Sequence, residues 1–185
     1  MRAEIERLQQ ENQRLSQLAY RDSLTGLRNR RYFGERLSEE LCRLKRSPAG
    51  GAMSIICIDV NGFKTLNDTQ GHAAGDAALI AVGHLLESLI RTEDVACRLG
   101  GDEFVVLLTE TDRAGAQVVV DRIRQHMPAL AGVGLARRPP LALGVGSWQQ
   151  NDDEIRLLSR ADEEMYADKR EAVEPEMPQL FARAA

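Results

Sequence analysis

The sequence predicts one mixed domain, α/β or α+β, and three observations predict it. Short apolar runs recur at 53–58, 104–108 and 141–147, the lengths of buried strands. The longer segments between them repeat their apolar residues every three or four positions, as helix faces do. Two adjacent glycines, Gly100 and Gly101, separate strand-like runs at 95–99 and 104–108 and supply the positive φ of a tight hairpin turn. Periodicity alone does not choose between the two classes. At 185 residues the chain has room for one ordinary core and a short appendage.

Residues 1–20 carry six charged side chains and neither Gly nor Pro. Ile5, Asn12 and Ala19 share one heptad position and Leu8 and Leu15 the other, so the segment reads as a coiled-coil signalling helix that pairs two copies of the chain. A lone core Asn favours a fixed register and a dimer. An amphipathic helix packed on its own domain is the plainer alternative. Asp22-Ser23-Leu24-Thr25-Gly26 then breaks the helix, and the domain proper is placed at 21–174.

Within it, 30–46 reads as a helix with Tyr32, Phe33, Leu37, Leu41 and Leu44 on one side, and 47–51 as a loop. A buried strand over 53–58 ends at Asp59, and a polar segment covers 59–76. Leu79, Val82, Leu85, Leu86 and Leu89 share the face of a helix over 77–90. The hairpin follows, then a helix over 113–127, a loop over 133–140 with Arg137, Arg138 and two prolines, and a strand over 141–147. A helix over 152–172 is expected to be capped by Asn151 or Asp152, with acids in its first turn. The tail, 175–185, has two prolines and no periodicity.

The net charge of −4 argues against a partner that is a nucleic-acid polymer, since such binders carry a basic surplus. No apolar run approaches the roughly 18 residues of a membrane span, and the first residues lack a signal-peptide core, so a cytoplasmic protein is expected. The three cysteines, Cys42, Cys57 and Cys97, are read as reduced, buried thiols. A coiled stub at the start is also what a piece of a longer protein would show, with an upstream sensor, soluble or membrane-attached, preceding it.

The chemistry is carried by acids at a strand end and in a turn. Asp59 stands where an apolar strand stops, and Asp102 and Glu103 stand in the hairpin. Carboxylates presented there to one cleft suit a hard cation such as Mg²⁺, which shares oxygen ligands with phosphates; solvated turn acids are the alternative. No His/Cys spacing suits zinc. Between 59 and 76 the chain is dense in hydrogen-bonding groups and can hold phosphate oxygens on backbone N–H groups, with Lys64 as a point charge. Asn67 and Asp76 could read a base edge, for guanine offers a carboxylate two donors that adenine lacks. His72, alone, reads as structural.

Arg98-Leu99-Gly100-Gly101-Asp102-Glu103-Phe104 resembles the signature of the GGDEF family, the diguanylate cyclases. Three more stretches resemble it in the right order. Asp22-Ser23-Leu24-Thr25-Gly26-Leu27-Arg28-Asn29-Arg30-Arg31 is similar to the opening D-x-L-T-G-L-x-N-R-R. The run from Asp59 to Asp76 is similar to D-x-D-x-F-K-x-x-N-D-x-x-G-H-x-x-G-D. Ala161-Asp162-Glu163-Glu164-Met165-Tyr166-Ala167-Asp168-Lys169 is similar to the closing A-D-x-A-L-Y-x-A-K.

The resemblance implies a palm-like α+β domain with a mainly antiparallel sheet flanked by helices and the signature on a β-hairpin. It implies a magnesium-dependent enzyme, with Mn²⁺ as a substitute, that joins two GTP molecules into cyclic di-GMP and releases two pyrophosphates. Each domain would hold one GTP and face a second copy. Asp59, Asp102, Glu103 and the Val60 carbonyl would hold metal; Asp102 or Glu103 would take the proton. Lys64 and Lys169 would stabilise phosphate charge, and Gly100 and Gly101 would let the backbone approach a phosphate. Asn67 and Asp76 would read guanine, with His72 nearby. Arg91-Thr92-Glu93-Asp94 resembles the family's R-x-x-D inhibitory site for cyclic di-GMP, with Arg122 as a further contact. A catalytically weak cyclic di-GMP effector and a plain dimerisation module are the alternatives.

The chain departs from the family pattern at three places. Asn61 replaces the second acid of D-x-D, and Ala142-Leu143-Gly144-Val145-Gly146 replaces S-x-G-x-A. The family's G-R-N after the closing Lys is absent; Arg170-Glu171-Ala172-Val173-Glu174-Pro175 follows Lys169 instead.

Overall fold

The computed structural model describes residues 4, 5, 7, 11, 19–46, 51–135 and 140–171. The elements run β1 (Arg28–Asn29), α1 (Arg30–Arg46), β2 (Met53–Val60), α2 (Phe63–Gln70), α3 (His72–Leu89), β3 (Val95–Gly100), β4 (Glu103–Thr109), α4 (Arg113–His126), a 3-10 segment (Met127–Val133), β5 (Leu141–Ser147) and α5 (Glu154–Glu171). One five-stranded sheet has the order β1-β3-β4-β2-β5. Its pairs are antiparallel except β1 with β3. The fold is therefore α+β, with helices on both faces of a mainly antiparallel sheet, as expected.

Strand alternation sorts the core into two layers. Ile56, Ile58 and Val60 of β2 and Phe104, Val106 and Leu108 of β4 pack with Leu79, Val82 and Leu86 of α3 and Val120 and Ile123 of α4. Met53, Ile55 and Cys57, with Val105 and Leu107, face Phe33, Leu37, Leu41 and Leu44 of α1 and Leu157 and Ala161 of α5. Each Val, Leu, Ile, Phe or Met among them contributes about 1.5–3 kcal/mol on burial. The same alternation carries on to the strand ends. Asp59 falls on the face of Cys57, and Glu103 on the face of Val105, both toward the α1 and α5 layer.

The hairpin, the strands over 53–58 and 141–147, and the helices over 30–46, 113–127 and 152–172 lie within a residue or two of their expected places. The polar segment differs. It holds a full helix, α2, and α3 begins at His72 rather than at 77. Only Leu66 of α2 is buried, which leaves no apolar periodicity to see. β1 is two residues long and pairs with β3. Part of the expected 133–140 loop is the end of the 3-10 segment.

The cap of α5 is Asp153, whose Oδ1 accepts from the Arg156 N–H at 2.8 Å. Asp152 is committed elsewhere, buried and ion-paired with Arg160, and Asn151 takes a positive φ of 71° in the turn. All three cysteines are free, but Cys42 is exposed; it sits one position round α1 from the buried stripe of Leu37, Leu41 and Leu44. Gly144 keeps the glycine of the family pattern, where a Cβ would stand 2.1 Å from the Ala161 O and the Met165 N of α5; at the variant Gly146 a Cβ would stand 2.4 Å from the Leu157 O. Heptad positions Leu8, Asn12 and Leu15, the segment 47–50, Arg137, Arg138 and the tail 175–185 lie outside the described residues. No helix among the described residues is long and apolar enough to cross a membrane.

Candidate active site

Asp59 at the end of β2 and Glu103 at the start of β4 are partners in the antiparallel register. Facing residues in such a pair have Cβ atoms about 4.5–5.5 Å apart, so the two carboxylates share one small region. Beneath them, burial pushes the Cys57 thiol up, and the charges of Asp162 and Glu103 add to it. Lys169, near the end of α5, places Nζ 2.7 Å from Asp59 Oδ1. The Asp59 side chain is mostly covered, while Lys169 stays partly open to solvent.

The turn between β3 and β4 has Gly100 at φ 139° and Gly101 at φ 54°. A Cβ on either would meet no atom within 4 Å. Backbone conformation, not crowding, requires these glycines, and the space above the turn is open. The Val60 N–H donates to the Asp102 O at 3.2 Å, which locks the turn against the end of β2.

Two arginines outside the expected set hold this hairpin. Arg98 Nε and Nη2 donate to the Gly101 O at 3.0 and 2.8 Å, and its Nη1 donates to Asp22 Oδ1 at 3.1 Å. Burial pushes the Asp22 carboxyl up, but the Thr25 N–H and hydroxyl and the Arg98 guanidinium outweigh it and hold it below the usual range. Arg30 Nε donates to the Leu99 O at 2.9 Å, and its Nη2 stands 3.7 Å from Glu103 Oε2. Both arginines lie inside the motif stretches, so the sequence carried the signal; their contacts span 76 and 69 residues and do not show in any local pattern.

Past β2, Gly62 at φ 76° turns the chain into α2, and no side chain caps that helix. Its first N–H groups therefore have no intrahelical partner, and exposed Lys64 stands in the same turn. Asn67, one turn on, lies against α3: a Cβ on Gly75 would fall 2.0 Å from Asn67 Oδ1. That oxygen is buried without a hydrogen-bond partner among the described residues. His72 and Asp76 stand one turn apart on α3, both exposed.

The donor set fits a hard divalent cation. Among the described residues no three His, Cys, Asp or Glu side chains converge, so the expected cluster reduces to the Asp59 and Glu103 pair, with Asp102 beside it in the turn. Mg²⁺ commonly takes one or two protein carboxylates and completes its shell with phosphate oxygens and water.

A second group of expected residues gathers at the other end of β3, about 20 Å away by strand rise. Arg91, Asp94 and Arg122 line one hollow with Leu89, Val118 and Val119. Asp94 accepts from the Arg91 N–H and the Thr109 N–H, each at 3.2 Å. Burial pushes its carboxyl up, and those N–H groups only partly offset the rise. Arg122 Nη1 donates to the Leu89 O at 2.8 Å, tying α4 to the end of α3.

The antiparallel sheet, the two-glycine hairpin and the acidic strand end define a palm-like α+β domain with a strand-end site. The profile of the diguanylate cyclase GGDEF domain matches residues 19–174. "Diguanylate cyclase A" of Treponema denticola is 33% identical over 162 residues, covering 85% of this chain and 44% of that protein. "Diguanylate cyclase TpbB" of Pseudomonas aeruginosa is 38% identical over 170 residues, covering 90% and 39%. Among solved structures, diguanylate cyclase SiaD in complex with its activator SiaC, from Pseudomonas aeruginosa, superposes with a TM-score of 0.76 at 32% identity, over 91% of this chain and 65% of that one. The chain belongs to the diguanylate cyclase GGDEF-domain family. It spans less than half the length of these curated relatives.

Proposed function

We propose that the chain is a diguanylate cyclase that condenses two GTP molecules into cyclic di-GMP and two pyrophosphates. The observation that carries this reading is the Asp59 and Glu103 pair beside the open Gly100 and Gly101 turn, with Lys169 on Asp59. Asp59, Glu103, the Val60 carbonyl and Asp102 would hold Mg²⁺, which when bound neutralises the triphosphate and eases loss of the hydroxyl proton.

The chain's own groups bind and position. The free N–H groups of the first α2 turn and Lys64 receive phosphate oxygens. The glycine turn lets backbone approach the phosphates without a side chain in the way. Asn67 and Asp76 accept from guanine, with His72 at the rim. One GTP's 3′-oxygen bonds to the α-phosphorus of the other as the bond to pyrophosphate breaks. The hydroxyl proton passes to Asp102 or Glu103. Lys169 and Lys64 meet the charge that develops on the phosphates.

One domain carries one such half-site, so two copies must face each other, brought together by residues 1–20. Product would then occupy the hollow of Arg91, Asp94 and Arg122 and slow the reaction. Guanidinium groups stack on a guanine face and the Asp takes its donor edge.

The test is the purified chain with GTP and Mg²⁺, products separated by chromatography, beside Glu103→Ala. Cyclic di-GMP from the parent and none from the variant is the expected result. Added cyclic di-GMP should slow the parent and leave Arg91→Ala unaffected. No product at any protein concentration, with tight cyclic di-GMP binding retained, would instead make the chain an effector.

A further inference from the structure

A second cleft, of about 320 Å³, opens where β1 meets β3. Its lining includes Arg21, Arg28, Tyr32, Glu87, Arg91 and Thr92. It shares only Ile90, Arg91 and Asp94 with the hollow around Arg122. Arg21 and Arg28 are direct partners in an isolated antiparallel bridge. Like charges placed opposite each other on paired strands repel and destabilise. The Arg28 guanidinium lies 4.3 Å over the Tyr32 ring, a cation–π contact that supplies no negative charge. Among the described residues Arg21 donates to the Gly26 O alone. None of the three arginines makes an ion pair with a carboxylate among the described residues. Asp94 does not answer them: its two oxygens accept from the Arg91 and Thr109 backbone N–H groups. That leaves exposed Glu87 as the only other carboxylate of the lining, against three guanidinium groups.

We infer that this cleft binds a small soluble anion bearing two or more phosphates. Guanidinium groups meet phosphate oxygens with paired, directed hydrogen bonds, and a polyphosphate can span several of them at once. Apolar Ile90, Val95 and Ala96 form part of the wall beside those charges. A bound anion would bridge Arg21 and Arg28, and so fix the chain where it enters the domain.

The test is an amide-resolved NMR titration of the ¹⁵N-labelled chain with inorganic pyrophosphate in EDTA. Signals of Thr92, Val95, Ala96 and Arg28 should shift. In Arg28→Gln the affinity read from Thr92, Val95 and Ala96 should fall at least about tenfold, the loss expected for one charge-assisted pair. In Arg122→Ala and Lys169→Ala those shifts should persist, which separates this cleft from the neighbouring hollow and from the strand-end site. Shifts confined to 62–65, or cleft shifts unchanged in a folded Arg28→Gln, would overturn the inference. A phosphate could also come from a lipid headgroup. Co-sedimentation with phosphatidylglycerol vesicles that needs Arg28, without pyrophosphate shifts, would likewise overturn a soluble ligand. Binding is the readout throughout, so neither result depends on turnover.

Discussion

Arg98 gathers the signature turn and the opening motif on one side chain, and its partner makes that link sensitive to acid. Asp22 keeps a carboxyl below its ordinary range in the fold. Its contribution is therefore present above the unfolded value of about 3.9 and is lost as pH falls through the folded one. Asp94 has the opposite sign. Its folded carboxyl is raised, so its contribution is present at low pH and lost as pH rises through the folded value. Asp22→Asn should lower unfolding free energy at pH 7 by about 1–2 kcal/mol, the loss of a charge-assisted bond. The deficit should shrink as pH falls below about 3.9. Urea midpoints at pH 7, 5 and 3 measure this. A deficit that stays constant across that range would mean that shape, not charge, is what Asp22 contributes. At this scale the site was half legible. Asp59 and Glu103 stand out as acids interrupting apolar runs, whereas Arg30 and Arg98 bond to carbonyls and carboxylates remote in sequence.

Elements show the same division. The strands of the hairpin and the α1 face were readable because each carries its own apolar period. Helix α2 was not, because one buried Leu66 cannot make a period, and its job is to carry polar groups beside α3. Glycines also mean different things on different elements, and only contacts separate them. Gly144 lies on β5 where α5 presses its backbone to within 2.1 Å of an added Cβ. Gly34 lies inside α1 with nothing within 4 Å and no positive φ. Gly144→Ala should therefore overpack, costing about 3 kcal/mol or more, and lower Tm by about 10 °C. Gly34→Ala should stabilise by about 0.5–1 kcal/mol through helix propensity alone. Thermal melts followed by circular dichroism should move in opposite directions for the two variants. Equal losses would mean that the Gly144 contact with α5 is looser than its geometry states.

At the scale of the whole molecule, the proposed reading asks whether two half-sites must meet. If one domain positions one GTP, the rate per chain must depend on how often two chains face each other. An active site complete within one chain gives a specific activity independent of concentration. Two facing half-sites give one that climbs with concentration and levels off when pairs are saturated. On the proposed reading, residues 1–20 would set where that plateau falls. A segment that pairs two chains would convert the encounter of the two domains into an intramolecular event, with an effective concentration near the millimolar range for short connections. Initial rates at fixed GTP, from nanomolar to tens of micromolar chain, should rise more than linearly with chain concentration. Removing residues 1–18 should shift the half-maximal concentration upward by at least about tenfold, while the plateau changes little. Arg91→Ala, assayed alongside, should keep the same concentration dependence but lose the slowing that accumulates with product. A flat specific activity in both forms would place the whole reaction within one domain and remove the need for pairing through residues 1–18. A lowered plateau with an unchanged midpoint would give residues 1–18 a part in orienting the domains rather than in bringing them together.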